Sequence, residues 1–139
     1  MEIRECKTED EIKATYPVLK QMYEIPQDDY MEHVAEMMET GYRLIGIFES
    51  GKCIGLSGFE IKRRLYCGKN LQIHNICVDK EFRGKRIGAE MIDWLKEEAY
   101  RNKCDTVLAD TYIDNKDAQE FLKKQGLYTR GLHMKCDNL

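Results

Sequence analysis

Residues 42–78 carry three strand-like runs in direct succession, YRLIGIFES, CIGLSGFEIK and NLQIHNICV, with no helical pattern between them. Each is rich in β-branched and aromatic residues. They are separated by Ser50-Gly51-Lys52 and by a turn at Cys67-Gly68-Lys69. Short polar connections containing glycine read as hairpins, so three antiparallel strands are expected side by side. A fold in which every strand is followed by a helix is thereby excluded.

The flanking segments supply helices. IREC reads as an opening strand, and residues 8–23 place Ile12, Tyr16, Leu19 and Tyr23 on one helical face, with Pro17 expected to kink or split it. Pro26 and Asp28-Asp29 form a turn. Asp29 with Glu32 is expected to cap a second helix built on Met31, Val34, Ala35 and Met38 and stopped by Gly41. Beyond the three strands, Ile87, Met91, Leu95 and Ala99 predict a helix reaching Asn102. DTVLADTY predicts a buried strand, Ala118, Phe121 and Leu122 a helix ended by Gly126, and GLHMKC a last strand. The order is β-α-α-β-β-β-α-β-α-β, an α+β domain with helices flanking one mixed, mostly antiparallel sheet. At 139 residues and 42% hydrophobic, the chain suits a single domain over 1–139.

Charge narrows the partners. Lys plus Arg number 22 against 25 Asp plus Glu, net −3, so no nucleic-acid partner is expected. Lys62-Arg63-Arg64 reads as a strand-end face. With no cationic leader before an apolar run and no membrane-length segment, neither export nor a membrane partner is expected, and the chain reads as cytoplasmic. The six cysteines lack CxxC or Cys/His spacing, so they read as reduced thiols serving as small core residues, with no metal.

The stretch DKEFRGKRIGAEMIDWL joins the third of these strands to a helix. Free N–H groups at the start of a helix, the positive end of its dipole and two glycines favour a phosphate, with Arg83, Lys85 and Arg86 around it. Gly84 as a turn, Gly88 as a packing position and solvated cations account for the same residues equally well. The P-loop pattern fails on spacing and lysine, and GxGxxG fails on glycine spacing and on the antiparallel context.

Arg83-Gly84-Lys85-Arg86-Ile87-Gly88 resembles the Gln/Arg-x-x-Gly-x-Gly/Ala cofactor motif of the GNAT superfamily of acetyl-CoA-dependent N-acetyltransferases, with Arg86 at the first patterned glycine. NKDAQEFLKKQGL resembles its second signature through Asn115, Ala118, Phe121 and Gly126, with Leu122 and Leu127 replacing Tyr and Phe. The resemblance implies acetyl-CoA as co-substrate. It implies that the loop from Arg83 to Ala89, with Ile87 and Gly88, wraps the pyrophosphate, that Asn115, Ala118 and Phe121 belong to the same cofactor site, and that Ile76, Cys77 and Val78 flank the pantetheine arm. The Ile76 N–H would then polarise the thioester carbonyl.

Direct transfer needs no acyl-enzyme, so Cys77 is a packing residue. It does need a base for the acceptor ammonium. His74 and Glu60 are the candidates, each equally readable as an ordinary sheet residue. Leu122 stands where the family's proton-donating tyrosine belongs, leaving Tyr128, Tyr112 or solvent for the leaving thiolate. Glu24, Asp28 and Asp29 lie in the segment that lines the acceptor side in this superfamily. The expectation is an N-acetyltransferase acting on a small-molecule or peptide amine, with a homodimer left open. A catalytically silent acyl-CoA-binding module is the alternative.

Overall fold

The computed structural model describes residues 1–139. Strand β1 (Glu2–Glu5), helices α1 (Glu9–Leu19) and α2 (Gln27–Met38), and strands β2 (Arg43–Glu49), β3 (Lys52–Arg64) and β4 (Gly68–Val78) come first. A 3₁₀ turn (Lys80–Phe82), α3 (Ile87–Arg101), β5 (Thr106–Ala109) and α4 (Lys116–Lys124) follow. The five strands form one sheet in chain order, antiparallel except for the parallel β4–β5 pair.

Alternation along the strands divides the core into two layers. Cys6, Leu44, Phe48, Leu56 and Cys77 pack under α1 and α2 with Val18, Tyr30 and Val34. Ile45, Ile47, Phe59, Leu71 and Ile73 pack under α3 and α4 with Met91, Leu95 and Leu122. Arg43 clamps one edge of the second layer. Its guanidinium takes Glu5 from β1 through two 2.9 Å bonds and Glu98 from α3 at 2.6 Å, and lies 4.7 Å from the centre of the Phe59 ring.

Several local expectations are corrected. Pro17 neither splits nor interrupts α1. It sits in the last turn, and the helix stops at Leu19, short of Tyr23. The capping box belongs to α1, where Thr8 accepts from the Glu11 N–H at 3.2 Å and Glu11 accepts from the Thr8 N–H at 2.9 Å. Asp29 and Glu32 cap nothing, because α2 already begins at Gln27 behind Pro26, which leaves Asp29 inside the first turn. The strand expected over 131–136 does not form. No backbone N–H beyond Leu127 donates within the chain, and Leu132 and Met134 are 74% and 86% exposed. Strand β5 is only four residues long and gives a sixth strand few partners. The segment's side-chain tie to β5 is His133 Nδ1 at 3.3 Å from Asp110, the residue after the strand ends.

All six cysteines are free thiols. Cys6, Cys53 and Cys77 are buried, Cys67 and Cys104 half-buried, and Cys136 exposed. Burial pushes the thiols of Cys6 and Cys53 up to about 12 and about 11. No helix is long and apolar enough to cross a membrane.

Gly58 lies under the Tyr42 ring, where a Cβ would fall 1.9 Å from the hydroxyl. Gly58→Ala is therefore expected to lower stability by about 1–3 kcal/mol through overpacking. The change should be read as a lower urea midpoint with an unchanged m value.

Candidate functional site

Strand β4 changes partners halfway along. Its pairing with β5 runs from Asn70↔Thr106 to Ile73↔Ala109 and stops there. Its pairing with β3 passes from Phe59↔Ile73 to Ser57↔Ile76, so His74 and Asn75 together oppose Gly58 in a β-bulge. The bulge turns both His74 and Asn75 to the α1–α2 side. There Asn75 meets the Tyr42 hydroxyl, and the His74 ring centre lies 6.0 Å from that of Tyr42. His74 and Ile76 thus lie on opposite faces of the sheet, not on the same face as their two-residue spacing suggests.

The bulge also fixes which backbone groups are free. The Asp79 N–H donates to the Ile54 carbonyl at 2.8 Å, so alternation makes Cys77 the next residue bonded to β3 and turns the amide groups of Ile76 and Val78 away from it. On that side β5 has already ended. The Val78 carbonyl is taken by Arg83 Nε at 3.3 Å, and the Ile76 N–H faces the gap between the two strands.

The loop after β4 offers more donors. Asp79 accepts the Glu81 N–H at 3.0 Å, and this bond holds its carboxyl below the usual carboxylate range. Gly84 has φ +80 with nothing within 4 Å of its Cβ position. Arg86 has φ 63 and ψ 17 at the N-cap of α3, so it keeps a left-handed backbone although its side chain is long. Backbone N–H groups from Gly84 to Ala89 find no acceptor within the chain. Arg83, Lys85 and Arg86 are exposed in the same loop, with Lys85 Nζ 5.2 Å from the centre of the Phe82 ring.

Other sequence-derived candidates have structural work. A Cβ on Gly88 would stand 3.0 Å from the Phe121 ring, so this glycine lets α3 and α4 approach, while Ile87 and Ala89 are buried beneath the loop. Asn115 caps α4 through a 3.1 Å bond from the Ala118 N–H. Cys77 is buried, its sulfur 3.7 Å from the Val18 carbonyl oxygen, and burial raises its thiol. Leu122 lies in the core under α3, 8% exposed. Tyr112 and Tyr128 are 74% and 79% exposed.

On the other side of β4, Glu60 is largely buried, its carboxylate 3.4 Å from His74 Nε2 and 2.7 Å from Lys62 Nζ. Burial lowers the His74 pKa, and the opposing pull of Glu60 does not overcome it, which favours the neutral imidazole. Glu24, Asp28 and Asp29 are exposed. His33 lies on the exposed face of α2, beside Glu36 and Met37. Sequence reasoning missed Tyr42 and Asn75, which meet across 33 residues of chain.

A model of the acetyltransferase (GNAT) family matches residues 7–127. Glucosamine 6-phosphate N-acetyltransferase from Arabidopsis thaliana is 29% identical over 87 residues, 61% of this chain and 56% of that relative, so the match spans little more than half of its length. The crystal structure of that Arabidopsis enzyme superposes with a TM-score of 0.78 at 23% identity, covering 99% of this chain and 97% of the other. An aminoglycoside 6'-N-acetyltransferase from Acinetobacter haemolyticus gives 0.87 at 11% identity over 100% and 99%. At such identities the superpositions establish the fold.

The left-handed Arg86 makes a separable expectation. Arg86→Gly relieves strain of about 1 kcal/mol but adds a similar freedom to the unfolded chain, so its melting midpoint should stay close to the parent's. Arg86→Val, with a β-branched side chain at positive φ, should melt clearly lower.

Proposed function

The chain belongs to the GNAT family of acetyltransferases, and from that premise we propose that it moves an acetyl group from acetyl-CoA to a primary amine by direct attack. The observation that carries the proposal is the Ile76 N–H, freed by the bulge and by the end of β5, next to a loop of unpaired amides. Acetyl-CoA supplies an activated acyl group on a good leaving thiol. The site residues fit such a molecule: the amides from Gly84 to Ala89, with Arg83, Lys85 and Arg86, suit a pyrophosphate, and the open edge at Ile76 and Val78 suits an extended amide-bearing arm. Gly88 and Phe121 bring α3 and α4 together next to the loop, and Asn115 caps α4 on the Ala118 N–H.

The proposed chemistry follows from three groups. The Ile76 N–H donates to the carbonyl oxygen as negative charge gathers there. His74, with its neutral form favoured and 3.4 Å from Glu60, accepts the proton that the ammonium must lose, and the Glu60 carboxylate steadies the imidazolium that results. Solvent protonates the departing thiolate, since Leu122 has no proton to give and a thiol with a reference pKa of about 8.5 leaves readily. The relative named for glucosamine 6-phosphate and the structure named for aminoglycosides make amino sugars the first acceptors to try. We read the chain as one domain, working in the cytoplasm, with a homodimer open. The buried Leu122 at the tyrosine position favours one rival, an acyl-CoA-binding module without turnover.

The deciding experiment is release of free CoA across a panel of amines, alongside thermal melting. Acetyl-CoA at a hundred times its dissociation constant should stabilise the fold by about 2.7 kcal/mol. CoA release should need an amine. A melting rise with no release from any amine would select the silent module, and no rise would reject both.

The pH dependence tests the base. Because the His74 pKa is lowered, kcat/KM should fall on the acid side only below the ordinary histidine value of about 6.5, where the base becomes protonated. His74→Gln should remove that limb and lower the plateau by about 10²-fold or more. Tyr128→Phe and Tyr112→Phe should each leave kcat within about twofold, far from the 10²- to 10⁴-fold loss of a true general acid.

A further inference from the structure

A chain of three polar side chains runs from the core to the surface beside the gap. Tyr42 is 4% exposed, with its ring over Gly58. Its hydroxyl donates to Asn75 Oδ1 at 3.0 Å, the one hydrogen bond this side chain makes. A buried hydroxyl proton needs an acceptor, so the bond sets the direction of the Asn75 amide. With Oδ1 turned inward, Nδ2 faces out and donates to the Tyr23 hydroxyl oxygen at 3.1 Å.

Tyr23 lies in the connection between α1 and α2 and is 37% exposed. Its oxygen accepts from Asn75, and its own O–H proton has no acceptor within the chain. The connection is anchored on both sides of it. Gln21 Oε1 accepts the Lys80 N–H at 3.0 Å, and the Tyr16 hydroxyl donates to the Ile25 carbonyl at 2.6 Å. Asn75 immediately precedes Ile76, so the whole chain of bonds is referenced to the strand edge at the gap.

Resting on the amine acetyltransferase function proposed above, we infer that Tyr23 is a specificity residue whose O–H donates to an oxygen of the acceptor, and that Asn75 is its positioning residue. The acceptor class is then an amine that carries a hydroxyl, ring ether or carbonyl oxygen. An alkyl amine offers no such oxygen. A polyamine offers only further ammonium donors, which compete with Asn75 for the Tyr23 oxygen and leave the Tyr23 proton unused. A site that hydrogen-bonds a substrate oxygen rejects the analogue lacking it, because its own donor is then left unpaired.

The test compares two ring amines, glucosamine and cyclohexylamine, with the full chain at saturating acetyl-CoA. The parent protein should favour glucosamine by about tenfold or more in kcat/KM. Tyr23→Phe should raise KM for glucosamine about tenfold with kcat nearly kept, and leave cyclohexylamine within about twofold. Asn75→Ala should act in the same direction, while KM for acetyl-CoA and the melting shift it causes stay as in the parent. The inference is overturned by a parent with no preference, by a Tyr23→Phe effect equal on both amines, or by spermidine being acetylated while both ring amines stay idle. Release of CoA from no amine at all removes the acetyltransferase function itself, and this inference with it.

Discussion

Beyond Ile73 and Ala109 nothing joins β4 to β5, and the candidate site depends on that parting. Inside a sheet the outward amides of Ile76 and Val78 would be spent on a ladder. Here the bulge at His74 and Asn75 bends β4 just as β5 runs out, so the Ile76 N–H faces the gap and the Val78 carbonyl is left to Arg83. The same extra residue brings His74 and Asn75 to one face while Ile76 keeps the other. One local irregularity therefore frees a backbone donor toward the gap and turns polar side chains toward α1 and α2.

The layers make the irregularity affordable. Met91 and Leu95 hold the sheet from below, and Val18 and Tyr30 from above. Arg43 ties β1, β2 and α3 together through Glu5 and Glu98. Aliphatic and aromatic packing of this kind, about 1.5–3 kcal/mol for each fully buried side chain, lets a few backbone groups go without partners.

Features set by neighbours along the chain were legible before the structure. Ser50-Gly51 names its hairpin, with φ of 52 and 78 matching the left-handed turn such pairs adopt. The helical spacing of Ile87, Met91, Leu95 and Ala99 names α3. The bulge was not legible, since nothing in NLQIHNICV marks which residue lacks a partner and breaks the alternation between His74 and Ile76. Tyr23 and Asn75 are 52 residues apart and meet only because α1 crosses the sheet. The alternation of Leu132, Met134 and Cys136 promised a strand, but alternation reports a half-buried surface only where a neighbour exists. Capping was misread for a simpler reason: Thr8-Glu11 and Asp29-Glu32 have the same spacing, and Pro26 decides between them by starting α2 early.

The distribution of sulfur has a practical side. Cys6, Cys53 and Cys77 combine burial with raised pKa values, so little of each is thiolate and little is reachable at neutral pH. Cys136 is exposed, on the terminal segment that joins no strand. Under brief treatment with a maleimide the natural chain therefore labels first at one end, without cysteine-free engineering. A fluorophore or spin label there reports what the terminal segment does while the sheet beneath stays chemically silent.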